Sequence, residues 1–317
     1  MKTLRFYLAC CLCLLFVYPV YAAPPDTAKI AYVTWIKGNS TINLMNPDGG
    51  EHKILLQRSG KINQLAWSPN GEKLLFCAER NGTHDIFIMN ADGSNIKPVF
   101  QLMKYKREPV WSPDGKQIAY VAYSKTANNW NIHIASADGQ NIKPTIQTHR
   151  LGGDPSWSSD STKIAYVISN VKKSEIYIYN LDSNTKKRLI LHKQPWFTLP
   201  RWSPNSQKIA FAWGGNDIEN GIYISNGDGT DTQLITATEQ AKIYSLAWAP
   251  NGKQLVYSKS VRGISQIFTV DIATGETLQL TQEGVNIDPV WYDPAVSSLP
   301  VEPNKQLLTS TWGKIKK

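Results

Sequence analysis

The chain has 317 residues, 42% hydrophobic, 10% aromatic and 19% charged, with 34 Lys and Arg against 25 Asp and Glu for a formal charge of +9. That much apolar material excludes a wholly disordered chain, and 21 Gly with 18 Pro excludes a collagen-like fibre. Composition leaves open two ordinary domains or one large β-architecture.

The amino terminus reads as an export signal. Lys2 and Arg5 precede an apolar run from Phe6 to Val20, and Val20-Tyr21-Ala22 has the spacing a signal peptidase reads, so cleavage is expected after Ala22. The run is about fifteen residues, short of the roughly twenty that a spanning helix needs. Cleavage removes Cys10, Cys11 and Cys13, none of which sits in a lipobox, and leaves Cys77 without a disulfide partner. With Lys2 and Arg5 gone from the 34 basic residues, the 25 acidic ones leave a charge of about +7. A periplasmic or secreted monomer is expected, not an integral membrane protein. A basic exported chain suits an envelope protein or an anionic envelope polymer; nucleic acid is the wrong compartment.

From residue 29 the chain reads as short β-strands. Lys29-Ile-Ala-Tyr-Val, Thr41-Ile-Asn-Leu-Met and His52-Lys-Ile-Leu-Leu form a first set of three. A tryptophan-led segment then recurs at intervals of 43 to 46 residues. Its copies are Trp67-Ser-Pro-Asn-Gly, Trp111-Ser-Pro-Asp-Gly, Trp157-Ser-Ser-Asp-Ser, Trp202-Ser-Pro-Asn-Ser, Trp248-Ala-Pro-Asn-Gly and Trp291-Tyr-Asp-Pro-Ala. After each of the first five comes an apolar run such as Lys116-Gln-Ile-Ala-Tyr, then a second such as Ile176-Tyr-Ile-Tyr, then a turn and a last strand. In Ser-Pro-Asp-Gly the Pro presets φ near −65° and the Gly supplies a left-handed residue, which closes a tight hairpin. Asn46-Pro-Asp-Gly, Asn90-Ala-Asp-Gly and Asn226-Gly-Asp-Gly do the same between third and fourth strands. The last of these resembles part of a calcium loop, lacks its distal Glu, and is read as a turn.

Four-stranded units of about 45 residues cannot cover their own apolar faces, and radial stacking is the solution that leaves short, protected edges. The expected fold is all-β, a six-bladed β-propeller over residues 29–292. Asp288-Pro-Val-Trp-Tyr is a Trp strand without companions, and the first three strands lack one; their pairing closes the ring. Residues 293–317 are expected to form a tail; a seventh blade started by Gln306-Leu-Leu-Thr-Ser-Thr-Trp would lack its later strands.

These repeats resemble the TolB-like, WD40-like propeller family, and more loosely the propellers of prolyl oligopeptidases. The resemblance covers about residues 29 to 292, the propeller part only; the α/β domain that precedes the propeller in TolB has no counterpart in Ala23 to Ala28. It implies an exported propeller acting by protein contact, as TolB does with a peptidoglycan-associated lipoprotein.

In such a blade the first and third turns share one face, and the second turn and the blade-to-blade connection share the other. The hairpin turns carry mostly Asp and Glu. The loop face collects cations, among them Arg80, Lys104, Lys106, Arg107 and Arg150. Aromatic residues point there too: Trp35 and Trp213 end second strands, Trp130 precedes a third, and Trp196 and Phe197 lie in a connection, with Tyr244 and Tyr105 extending the patch. Trp and Arg are enriched at binding hot spots, so this basic, Trp-rich face is the expected partner-binding site. The six repeat tryptophans are expected to wedge between blades.

No Gly-x-Ser-x-Gly elbow, His-Glu-x-x-His pair or phosphate-cradling glycine loop occurs. A non-enzymatic binding module of the cell envelope, without a cofactor, is therefore the expected function. The alternative is a metal-dependent lyase or lectin for acidic oligosaccharides on the same face. Some propeller lyases resemble these repeats and use central histidines; His84, His149 and His192 are the candidates here, with Glu108, Asp154 and Asp288 near the channel mouth.

Overall fold

The computed structural model describes residues 23–297 except 81, 102–104, 126–127, 149–150, 171, 191, 193–195, 216–217 and 240. The expected export signal and the expected tail beyond residue 297, with the candidate start of a seventh unit at Gln306, lie outside the described residues. Apolar side chains on both faces of short strands, punctuated by Gly and Asp turns, make four-stranded antiparallel blades.

The chain opens with β1 (Lys29–Ile36), β2 (Asn39–Met45) and β3 (Lys53–Ser59). Blade 2 follows as β4 (Ile62–Trp67), β5 (Lys73–Arg80), β6 (Thr83–Asn90) and the two-residue β7 (Lys97–Pro98). Blade 3 is β8 (Lys106–Trp111), β9 (Gln117–Ser124), β10 (Asn129–Ser136) and β11 (Lys143–Ile146). Blade 4 is β12 (Leu151–Trp157), β13 (Lys163–Ser169), β14 (Ser174–Asn180) and β15 (Thr185–Arg188). Blade 5 is β16 (Phe197–Trp202), β17 (Lys208–Gly215), β18 (Ile218–Asn226) and β19 (Gln233–Ala237). Blade 6 is β20 (Ile243–Trp248), β21 (Gln254–Val261), β22 (Ile264–Asp271) and β23 (Thr277–Gln279). The last strand, β24 (Val285–Tyr292), begins three residues before the expected Asp288 and is followed by a four-residue turn of helix, α1 (Pro294–Ser297).

β24 pairs with β1, with Lys29 opposite Tyr292 and Trp35 opposite Val285, so blade 1 is the sheet β24-β1-β2-β3 and the ring closes as the sequence implies. The core lies between blades. Ala31, Val33 and Ile42 of blade 1 pack with Leu74, Phe76 and Ala78 of blade 2, and similar clusters recur around the ring. Among the repeat tryptophans, Trp157 and Trp202 are buried and the other four half-buried. Cys77 is fully buried and unbonded to another cysteine.

Hairpin turns also bind neighbouring blades. Gly139 has φ +80°, and a Cβ there would sit 2.2 Å from the Val99 carbonyl oxygen of the preceding blade. Gly115 has φ +71° with nothing within 4 Å. Gly139→Ala is expected to cost about 2 kcal/mol or more, a melting temperature roughly 5 °C lower, and Gly115→Ala about half that or less. Calorimetry of the two variants checks the difference, which the turn geometry alone would not produce.

Candidate functional site

The antiparallel order places the starts of the first and third strands and the ends of the second at one face of the disc, around the mouth of the central channel. Three cation–aromatic pairs stand at that face. Lys61 Nζ lies 5.2 Å from the Trp35 ring centroid, the Arg107 guanidinium 4.4 Å from that of Trp130, and Lys242 Nζ 5.4 Å from that of Tyr244. Trp196 is 43% exposed, Tyr244 45% and Tyr105 43%, which sets them apart from the buried and half-buried repeat tryptophans. A shallow groove of about 290 Å³ runs beside Trp196 and Trp213 towards Thr238 and Lys242. Trp35 is half-buried, donating its Nε1 hydrogen to the Ile62 carbonyl at 2.8 Å. Trp213 is half-buried against Phe197, Phe211, Tyr223 and, edge-on at 4.8 Å, His192.

Two expected contact residues are corrected. Lys106 is buried, its Nζ 3.0 Å from the equally buried Asp85 carboxylate and 5.0 Å from the Phe100 ring centroid, so its charge is spent inside the protein. Phe197 is fully buried among Phe211 and Trp213. The reason is register. Both stand five residues before a repeat Trp, the position occupied by the buried Ile62 in blade 2 and Ile243 in blade 6, which points between blades. Lys104, His149 and Arg150 lie outside the described residues, as does the side chain of Arg80. His84, half-buried, faces Glu79 across the β5–β6 pair, and His192 is exposed. Among the described residues, no three His, Cys, Asp or Glu side chains converge closely enough to hold a metal ion.

The channel carries a second constellation. Each innermost strand has an irregularity near its middle, and at five of the six the backbone turns left-handed, with φ between 53° and 58° at Gln64, Glu108, Asp154, Leu199 and Asp288. These residues stand three before the repeat Trp; Ser245 is the sixth. Four of these side chains accept the backbone N–H of their counterpart in the next blade. Ser245 Oγ accepts from Asp288 N at 3.1 Å, Asp288 from Gln64 N at 2.7 Å, Gln64 from Glu108 N at 2.9 Å, and Glu108 from Asp154 N at 2.6 Å. At blade 5 the position is Leu199, which has no acceptor, and Arg201 takes over. Its guanidinium is 4.0 Å from Asp154 of blade 4, and its Nε donates to the Leu246 carbonyl of blade 6 at 2.9 Å.

This girdle surrounds a cavity of about 230 Å³. Burial, and then the Asp154 charge, push Glu108 up to about 7 against the pull of Arg107 and Arg201. Burial pushes Asp288 up to about 6, with Gln64 N–H and Arg201 opposing. Reasoning on the sequence brought Glu108, Asp154 and Asp288 near the channel but missed Gln64 and Arg201. The recurrent acidic-residue-Pro pair before the Trp, as in Glu108-Pro109, Asp154-Pro155 and Asp288-Pro289, was the available signal.

The family model described as the TolB beta propeller domain matches residues 17–125 and 116–298. Among solved structures, TolB from Acinetobacter baumannii aligns with TM-score 0.75 at 19% identity, over 85% of this chain and 68% of that one. A chain of the nidogen/laminin complex aligns with TM-score 0.68 at 11% identity, over 84% and 99%. Oligogalacturonate lyase in complex with manganese aligns at 0.52 and 17%, over 82% and 74%. At these identities the structural likenesses show the fold alone. No curated protein is significantly similar to the chain in sequence.

Proposed function

The chain belongs to the TolB β-propeller family, and from that premise we propose that it is a non-enzymatic protein-binding module of the cell envelope that meets its partner with the loop face. The observation that carries this reading is the ring of cation–aromatic pairs at Trp35, Trp130 and Tyr244, joined by the exposed Trp196. Amphipathic rings with cations already seated on them lose little side-chain freedom when covered, which is why such residues dominate interface energetics. In this reading residues 1–22 direct export, so the protein works in the periplasm or outside the cell, and residues 293–317 are an appended tail. Among the described residues, no helix is long and apolar enough to cross a membrane.

The test is capture from envelope extract by immobilised mature protein, beside a Trp196→Ala/Tyr244→Ala variant. Loss of two such anchors is expected to weaken the specific partner at least tenfold, with melting temperature unchanged. Equal capture by both proteins would reject this face. Metal content determined on the same preparation separates the oligosaccharide-lyase alternative, which needs a stoichiometric ion.

A further inference from the structure

The girdle is more than a packing detail, because it links blades through side chains that can change charge. Ser245, Asp288, Gln64, Glu108 and Asp154 hand hydrogen bonds from blade 6 through blades 1, 2 and 3 to blade 4, and Arg201 spans blade 5. Three carboxyls thus share a narrow channel with one guanidinium, while Arg107 reaches Glu108 from its own strand at 3.4 Å. We propose that this girdle is a pH-responsive latch between the blades, tight while Glu108 and Asp288 keep their protons and slack once both are ionised.

A neutral carboxyl still accepts the N–H of the next blade through its carbonyl oxygen, and adds no charge to the channel. An ionised one accepts that N–H more strongly, but it sits part-buried beside another carboxylate, and desolvation with repulsion outweighs the stronger hydrogen bond. The groups acting on Glu108 are Arg107 on β8, Asp154 on β12 and Arg201 on β16. Those acting on Asp288 are the Gln64 N–H on β4, Arg201 and Asp154. Cys77 on β5 also lies within the field of both carboxyls, with its thiol pushed up mainly by burial.

The sign follows from linkage. Both groups titrate higher in the folded protein than their ordinary values of 4.5 and 3.8. Their contribution is therefore complete below those values and is lost as pH rises through about 6 for Asp288 and about 7 for Glu108. Six other carboxyls, Glu51, Asp92, Asp138, Asp160, Glu175 and Asp228, are shifted downward, so their effect falls at more acid pH, outside this window.

The experiment is thermal unfolding of the mature protein at fixed ionic strength from about pH 5 to about pH 8, with Glu108→Gln, Asp288→Asn and the double variant. Gln and Asn keep the acceptor oxygens, so the hydrogen-bonded ring survives. The wild type is expected to melt about 5 °C lower at the alkaline end, and the double variant to change by less than about 1 °C. Glu108→Gln should remove the alkaline part of the slope and Asp288→Asn the acid part. A flat wild-type profile, or an unchanged slope in the double variant, would overturn the latch. If a variant fails to fold, carboxyl-carbon NMR titration of the wild type decides: midpoints above about 5.5 for both groups support the proposal, and ordinary carboxyl values reject it.

Discussion

Deleting residues 286–292 is expected to open the ring and lower the melting temperature by about 15 °C or more, or to abolish cooperative unfolding altogether. The size follows from what β24 touches. It is the innermost strand of blade 1, and it buries Asn286, Ile287 and Tyr292. Thr34 donates to Asn286 Oδ1 at 2.7 Å within the blade, and Asn286 Nδ2 donates to Gln266 of blade 6 at 3.0 Å. On the other side, the Tyr292 hydroxyl donates to the Asn70 carbonyl of blade 2 at 3.2 Å, and its ring lies 5.6 Å from that of Trp67. One strand therefore joins three blades. Its loss exposes the β1 ladder edge and the apolar flanks of both neighbours, and no local rearrangement can cover them. Circular dichroism of the truncated chain reads the result; a melting temperature within a few degrees of the full chain would refute the closure.

Lys106→Ala is expected to cost about 3–5 kcal/mol, roughly 10 °C in melting temperature for a chain of this size. The two side chains are 4% and 0% exposed, so removing the ammonium takes from the Asp85 carboxylate a buried countercharge 3.0 Å away. The companion Lys106→Met/Asp85→Leu variant is expected to recover most of the loss, because a buried pair of this kind roughly balances its own desolvation. A complete double-mutant cycle by calorimetry measures the coupling. A loss below about 1 kcal/mol for Lys106→Ala would mean that the pair is wet in solution. Had Lys106 been a surface contact, the same substitution would change partner capture and leave the melt alone, so the two readings separate cleanly.

Much of the fold was legible because a repeat supplies its own controls. Six Trp segments at nearly constant spacing, with turn residues at matching offsets, specify blade number, strand order and even the pairing of chain ends, since two incomplete sets of strands can each be satisfied only by the other. The same repeat held unread information about sites. Counting back from Trp202 and Trp111 places Phe197 and Lys106 in the buried register, whereas chain topology alone put them at the loop face with everything else near a strand start.

By itself the sequence determined the architecture, its closure, and which strand ends gather at one face, because these follow from local periodicity and turn chemistry. Tertiary structure alone decided how side chains at that face are spent: Lys106 inward on Asp85, Arg107 outward on Trp130, and Glu108, Asp288 and Gln64 into a girdle around the channel. Those fates depend on which partner each side chain meets, between residues about 20 to over 200 positions apart, and on desolvation at the ring axis; the repeat register marks buried and channel positions but does not name those partners.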